Sequence, residues 1–412
     1  MDTLADRLTT GQDKYDINTE CGLINRLVKL QHDKYMAKMA KSKSMAEKYN
    51  FSAESDRVSY TFWKLQEKSF WTNTEMDFSA DKSDMGKMNA DERFVFTMVL
   101  AFFAAGDGII GNNILMRFLF MAESMIEVSA LVTQLHQEMI HAENYTDTLL
   151  TLIPDHDKRR HLLTAADEVP TIKAKADWLE KYMYSDVGKG LLTLAFGCAE
   201  GIGFWSSFAF VYWLKRKGTM HNFVFSNIQI AKDEAMHRDY ACARFRAIPS
   251  ADRPRIEDCL TLIREYTELE IKFTEFLYGN HEVDDLECQT VIQFVLFMAN
   301  RLCDGCNLPR IYPEGSHITA AEEARHNGMI AKPLPWMPVG DDKGNFYEVE
   351  IGAYKQSSIA SMYDKINAMG TMGGSGGENE DDESDSSDSD ESDTSDTSDT
   401  SDTSDTSDSS EE

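Results

Sequence analysis

Proline is missing from long stretches of this chain. None occurs before Pro154, and none between Pro170 and Pro249. Those stretches can therefore hold uninterrupted helices, because nothing in them removes a backbone N–H donor. Runs of β-branched residues are also few. Apolar positions recur at helical rather than alternating spacing, which excludes a sheet-based core. Basic clusters are missing too, which argues against a nucleic-acid surface. Lys and Arg vanish altogether from residues 378–412, where 17 acids accumulate. Without that segment the formal charge of −29 reduces to 53 acids against 41 bases, about −12. The seven cysteines are an odd number and lie scattered, with no hydrophobic signal ahead of them. A reducing, cytoplasmic compartment is the expectation. Cys303 and Cys306 have zinc-like spacing, but no second pair accompanies them.

What the chain does have is a doubled motif. Glu138-Met-Ile-His141 and Glu234-Ala-Met-His237 each place a carboxylate and an imidazole three residues apart, on one face of a helix. Each is preceded by a lone acid in an apolar stretch: Asp107 lies 31 residues before Glu138, and Glu200 lies 34 before Glu234. In paired antiparallel helices of about 25–30 residues, side chains meeting at mid-height have such separations. Expected helices cover roughly 22–48, 90–117, 120–150, 188–214, 223–247, 253–278 and 284–304. The fold class is all-α, a ferritin-like bundle of long helices around a dinuclear metal site.

Physical chemistry favours metal over bare burial. Four carboxylates in apolar surroundings are prohibitively costly to dehydrate unless compensated. With two neutral imidazoles they carry −4, which two divalent cations neutralise. Oxygen and nitrogen ligands without thiolate suit iron or manganese. The expected ligands are Asp107, Glu138, His141, Glu200, Glu234 and His237. Residues 191–213 are apolar apart from Glu200 and long enough to cross a membrane. A carboxylate at mid-membrane is costly, so a buried bundle helix is expected instead. Six glycines crowd the two lone acids (Gly106, Gly108, Gly111; Gly197, Gly201, Gly203). Each costs a helix about 1 kcal/mol relative to alanine, which close helix approach or local irregularity near a metal would justify. Tyr145 lies one turn beyond His141, where its phenol could be oxidised by a centre that reduces dioxygen. Phe204, Phe208 and Ile230 are candidates for the wall of a radical pocket.

Residues 60–355 resemble the small subunit of class I ribonucleotide reductase, of the eukaryotic or viral type. SFWTNTEMD, DERFVFTMVLAFFAAGDGII, QEMIHAENY, KAKADW, CAEGIGFWSSFA, WLKRKG and FSNIQIAKDEAMH carry the likeness. The resemblance implies that Asp107, Glu138 and His141 hold one iron, and Glu200, Glu234 and His237 the other. Two iron ions per chain, or manganese, with an oxo bridge derived from dioxygen, would be the cofactor. Tyr145 falls on the radical tyrosine. Trp71 and Asp233 fall on the pair that, with His141, carries electrons and protons towards the surface. Tyr354, in EIGAYKQ, falls on the tyrosine that relays the radical to the large catalytic subunit. That partner, a homodimer within a heterotetramer or larger assembly, and reduction of ribonucleoside diphosphates to deoxyribonucleotides are implied as well. Neither nucleic acid nor membrane is an expected partner.

Two departures stand out. Lys232 occupies a place where relatives often carry arginine. The chain also ends in SDTSDSSEE rather than in apolar anchors for the large subunit, so Ile359–Met372 becomes an alternative docking segment. Serines flanked by acids in that tail suit acid-directed kinases. The domain reading is a helical extension over 1–50, a dimetal domain over 51–355, and a flexible segment over 356–412 with a disordered acidic SDT-repeat tail. A dimetal monooxygenase or desaturase shares the paired motif, and ferritin-like iron storage is the non-enzymatic alternative. Tyr145, and aspartate rather than glutamate as first ligand, favour the reductase.

Overall fold

The helix that carries Asp107 begins where its sequence dictates. Asn89 caps it by accepting from the Glu92 backbone N–H, while the Glu92 carboxylate accepts from Asn89 N–H, a reciprocal capping box. In the computed structural model, which describes residues 51–185, 187–314 and 328–336 together with Lys29 and Asp33, nine longer helices form the body. They are α1 (Arg57–Lys68), α2 (Ala90–Asn113), α3 (Met125–Leu152), α4 (Pro170–Tyr184), α5 (Gly188–Ile202), α6 (Trp205–Lys217), α7 (His221–Ala247), α8 (Ile256–Tyr278) and α9 (Cys288–Gly305). Among the described residues there is no strand, only an isolated bridge between Glu314 and Ala331. The all-α expectation holds.

Helix α5 is the hub, packed against α4, α7, α8 and α9, while α2 pairs with α3 and α3 also packs on α1. Within the apolar stretch Gly188–Lys217, residues 192–214 are all buried inside the protein, as expected of a bundle helix. The physical reason is the ring of neighbours around α5.

Three local departures from the sequence reading matter. First, the expected helix over 188–214 is two helices, broken at Gly203–Phe204. Second, α2 passes into a turn of π-helix over Ile114–Phe118. The chain then stops at Met121 and restarts at α3 under a Ser124 cap, so the boundary near 120 shifts to 125. Such single π turns are frequent near functional sites. Third, α1 and α4 were not foreseen. α4 starts with Pro170 at its first position, a favoured site because the missing N–H would be unpaired there anyway. The expected helix over 22–48, the docking segment Ile359–Met372 and the SDT tail lie outside the described residues.

Glycine placement agrees with close packing at five of the six positions. An added Cβ would sit 3.0 Å from the Phe204 ring at Gly106 and 2.8 Å from the Arg238 stem at Gly201. Gly111, Gly197 and Gly203 also have near neighbours, whereas nothing approaches within 4 Å of that point on Gly108.

Candidate metal centre

Glu138 and His141 come from α3, Glu234 and His237 from α7, Asp107 from α2, and Glu200 from the end of α5. All six side chains are at most 1 % exposed. Asp107, Glu138 and His141 present ligand atoms within 4.8 Å of one another, as do Glu138, Glu200, Glu234 and His237. The structure thus brings every one of the six expected ligands to one place, in two overlapping groups that share Glu138. His237 Nδ1 lies 3.0 Å from Glu138 Oε1, and His141 Nδ1 lies 3.1 Å from Glu234 Oε1.

The donor set fits two cations. Asp107 Oδ2, both oxygens of Glu138 and Glu234, Glu200 Oε2, and the Nδ1 atoms of both histidines are buried without a hydrogen-bond partner. Leaving so many polar atoms unsatisfied is strongly unfavourable, whereas each is a lone pair that a cation would accept. The histidine tautomers agree. His141 Nε2 lies 3.1 Å from Asp233 Oδ2, and His237 Nε2 lies 3.1 Å from the Gln137 amide oxygen. Both partners accept, so each Nε2 donates its hydrogen and each Nδ1 turns a free lone pair inward.

Without cations, the charges must be balanced by protons. Burial, and then the neighbouring Glu234 and Glu138, raise the Glu200 carboxyl well above its ordinary range. Burial likewise raises Asp107. Burial alone would raise Glu234 as well, but the adjacent His141 and His237 outweigh it and hold this group low. His237 is pushed up to about 9: burial opposes the charge, and the carboxylates of Glu138 and Glu234 overcome that. Divalent cations replace these protons with charge of the same sign.

Around the ligands lies a set of polar residues that sequence reasoning missed. Gln134 Nε2 donates to Glu200 Oε1 at 2.9 Å, and Gln137 Nε2 donates to Asp233 Oδ1 at 3.0 Å. A signal existed, since Gln134 stands four residues before Glu138 and Gln137 four before His141, each on its ligand's face. Uncharged amides are weaker and less distinctive metal ligands than carboxylates or imidazoles, so that spacing went unread.

The relay candidates meet too. Trp71 Nε1 donates to Asp233 Oδ2 at 2.8 Å, and its ring lies parallel to the His141 imidazole at 6.1 Å between centroids. Asn144 donates to Asn73, which in turn donates to Asp147, so the irregular segment holding Trp71 is tied to α3. Lys232 donates to Gln229 on its own helix, one turn back.

Tyr145 is fully buried, and its hydroxyl donates to Asn227 Oδ1 at 3.2 Å. Burial first, then the charges of Asp107, Glu234 and Glu138, push its phenol well above the usual value of 10. Its ring stacks on Phe103, with centroids 4.7 Å apart and planes 18° from parallel. Phe103 was not foreseen, although it precedes Asp107 by four residues. Phe208 and Phe204 pack on Phe103, at 5.1 and 6.2 Å between centroids, and so form a layer behind it. Ile230 is buried on α7, one turn before Glu234. Tyr354 lies outside the described residues.

Comparison with known proteins gives a consistent result. The family model described as ribonucleotide reductase, small chain, matches residues 48–318. The ribonucleoside-diphosphate reductase small chain of variola virus is 32 % identical over 310 residues, spanning 74 % of this chain and 90 % of that protein. A ribonucleoside-diphosphate reductase small chain of Arabidopsis thaliana is 31 % identical over 313 residues, spanning 73 % of this chain and 86 % of the plant protein. Among solved structures, dimanganese(II)-NrdF of Streptococcus sanguinis superposes with a TM-score of 0.59 at 19 % identity, covering 66 % of this chain and 94 % of that one. A putative class I ribonucleotide reductase from Bacillus halodurans gives 0.57 at 17 %, covering 62 % and 94 %. These structural likenesses concern the fold, whereas the family match and the viral and plant identities establish kinship: the chain belongs to the ribonucleotide reductase small-chain family.

Proposed function

We propose that this protein is the radical-storing small subunit of a ribonucleoside-diphosphate reductase, holding its oxidising equivalent on Tyr145 and passing it to a large catalytic subunit that makes deoxyribonucleotides. The observation that carries this reading is the hydrogen-bonded line Trp71–Asp233–His141, which leads from a half-buried indole to the carboxylate cluster. A storage protein has no use for such a line.

Asp107, Glu138, His141, Glu200, Glu234 and His237 would hold two iron ions, with manganese compatible with the same donors. When bound, such a pair supplies reduction of dioxygen and a strong one-electron oxidant. The protein's own part is to make Tyr145 the group that is oxidised and to keep it so. Its phenol remains protonated at neutral pH, so loss of an electron must be accompanied by loss of the hydroxyl proton. The Asn227 amide oxygen orients that hydroxyl but is too weak a base to keep the proton, which would pass to a carboxylate of the neighbouring cluster, Asp107 first. A neutral radical results, in a dry pocket. Phe103 covers one ring face, with Phe204 and Phe208 behind it, and Ile230 borders the neighbouring helix. Water and reductants are thereby kept away.

Transfer to the partner would use His141, Asp233 and Trp71 and then Tyr354. Homodimerisation is supported by Val132 and Met139, seven residues apart on one face of α3, and by Leu115, each about half exposed. Gly111 of α2 lies against Met139, so the two helices offer one apolar surface to a second copy. The proposed location is the cytoplasm, and no nucleic-acid or membrane partner is proposed. The dimetal body is assigned to 51–355, between a helical extension and the acidic tail.

Electron paramagnetic resonance after ferrous loading in air tests the reading. A tyrosyl doublet is expected from the wild-type protein and should vanish in Tyr145→Phe with metal uptake intact. An iron-loaded protein without the doublet would sink the proposal. Tyr354→Phe should keep the doublet and lose turnover with the large subunit. Persistent turnover would shift the surface role to another residue, Tyr363 first.

A further inference from the structure

A helix that breaks inside a protein leaves carbonyls without partners at one new end and N–H groups at the other. The break between α5 and α6 has this problem, because the residues from Ala199 to Phe208 are all buried. Lys175 and Glu270 solve it together. Lys175 Nζ, from α4, donates to the Gly203 carbonyl and to Glu270 Oε2 of α8, each at 2.5 Å. The other carboxylate oxygen of Glu270 accepts from the Ser206 backbone N–H at 3.1 Å. The cation therefore meets the negative end of α5, the anion meets the positive end of α6, and each neutralises the other. Lys175 also lies over the Phe102 ring, 3.6 Å from its centroid. The two side chains are 2 % and 0 % exposed.

Charges so deeply buried bring no stability that a well-packed apolar pair could not match. Their position shows what they act on. Glu200 is three residues before Gly203, and its backbone carbonyl accepts from Trp205 Nε1 across the break at 3.2 Å. Phe204 leaves the break to pack over Gly106, the residue before Asp107, and against Phe102. One ligand and part of the layer behind Tyr145 thus hang on the geometry of this one interruption.

We propose that Lys175 and Glu270 are positioning residues for the metal centre: their ion pair clamps the α5–α6 break and so sets where Glu200 and Phe204 stand. The inference rests on the dimetal reading above.

The decisive protein is the full-length double variant Lys175→Met/Glu270→Gln, which is uncharged at the break yet keeps an acceptor for Ser206. It is measured metal-free by hydrogen exchange and then by stepwise Mn(II) titration. Exchange over 200–208 should quicken by roughly 10-fold or more with the other helices unchanged. Affinity for one Mn(II) should fall by a similar factor, and for the other stay within about 2-fold, the scale on which residues supporting ligands act. A folded double variant with wild-type exchange over 200–208 and two wild-type affinities overturns the inference alone. If the wild type binds no pair of Mn(II) ions, the dimetal reading falls and takes the inference with it. Should the double variant fail to fold, Glu270→Gln alone is read by the same two quantities, with the same results deciding.

Discussion

The two Glu-x-x-His halves of this site look interchangeable as sequence, yet the structure uses them differently. Beyond His141, the Nε2 hydrogen bond leads to Asp233 and on to Trp71, towards the outside. Beyond His237, the corresponding bond goes to the Gln137 amide, so this histidine reaches Asp233 only indirectly, through a side chain that carries no charge. The helices differ as well. Asp107 sits within a helix that runs on past it, whereas Glu200 stands just ahead of a break. A repeated motif can therefore build two clusters of donors of which only one has its histidine bonded directly to the residue that meets Trp71.

The largest expected effect would test whether the halves are separate at all. Glu138 belongs to both ligand groups, so Glu138→Ala should abolish binding of both ions, read as metal content per chain after anaerobic ferrous loading. Retention of one ion would mean that the halves are independent. Next comes the wiring. Asp233→Asn should leave a Tyr145 doublet but block turnover with the large subunit. Gln137→Leu should instead weaken metal binding roughly 10- to 100-fold, as loss of a ligand's supporting partner does, while turnover per radical stays at the wild-type level. Equal transfer defects in both variants would erase the contrast.

Smaller effects should separate the glycines around the two lone acids. At Gly203 an added Cβ would fall 2.4 Å from the Tyr266 hydroxyl and 2.8 Å from the Ala199 carbonyl oxygen. Gly203→Ala should therefore cost about 1–3 kcal/mol in urea unfolding of the metal-free protein. Gly108 has no atom within 4 Å of that point. Gly108→Ala should raise stability by about 0.5–1 kcal/mol, the helix-propensity difference alone. A loss there would show that the Asp107 segment also needs glycine for its backbone.

Much of this architecture could be read directly from the residues. Proline-free stretches and helical periodicity located α2, α3, α7, α8 and α9 to within a few residues, and α5 at its start but not at its end. The six ligands were legible because an acid in an apolar run and a Glu-x-x-His phrase are each unusual, and here both occur twice. Helix α4 was not legible, since KAKADW reads as an ordinary polar face, and its buried Lys175 makes sense only beside Glu270, 95 residues away. The break at Gly203 was hidden for a related reason: the apolar pattern continues straight through it. Phe103, Gln134, Gln137 and Asn227 carry no distinctive chemistry and gain roles only from their neighbours.

By itself, then, the sequence determined the helical class, the helix pairs and which six acids and histidines cluster, because periodicity and local spacing are properties of a chain. Tertiary structure alone decided that the two donor groups share Glu138 and that a buried ion pair closes the interrupted helix. It also joined Trp71 to Asp233 across 162 residues, a pairing the sequence offered only through resemblance. Those contacts join residues remote along the chain, and no local pattern encodes a partner so far away.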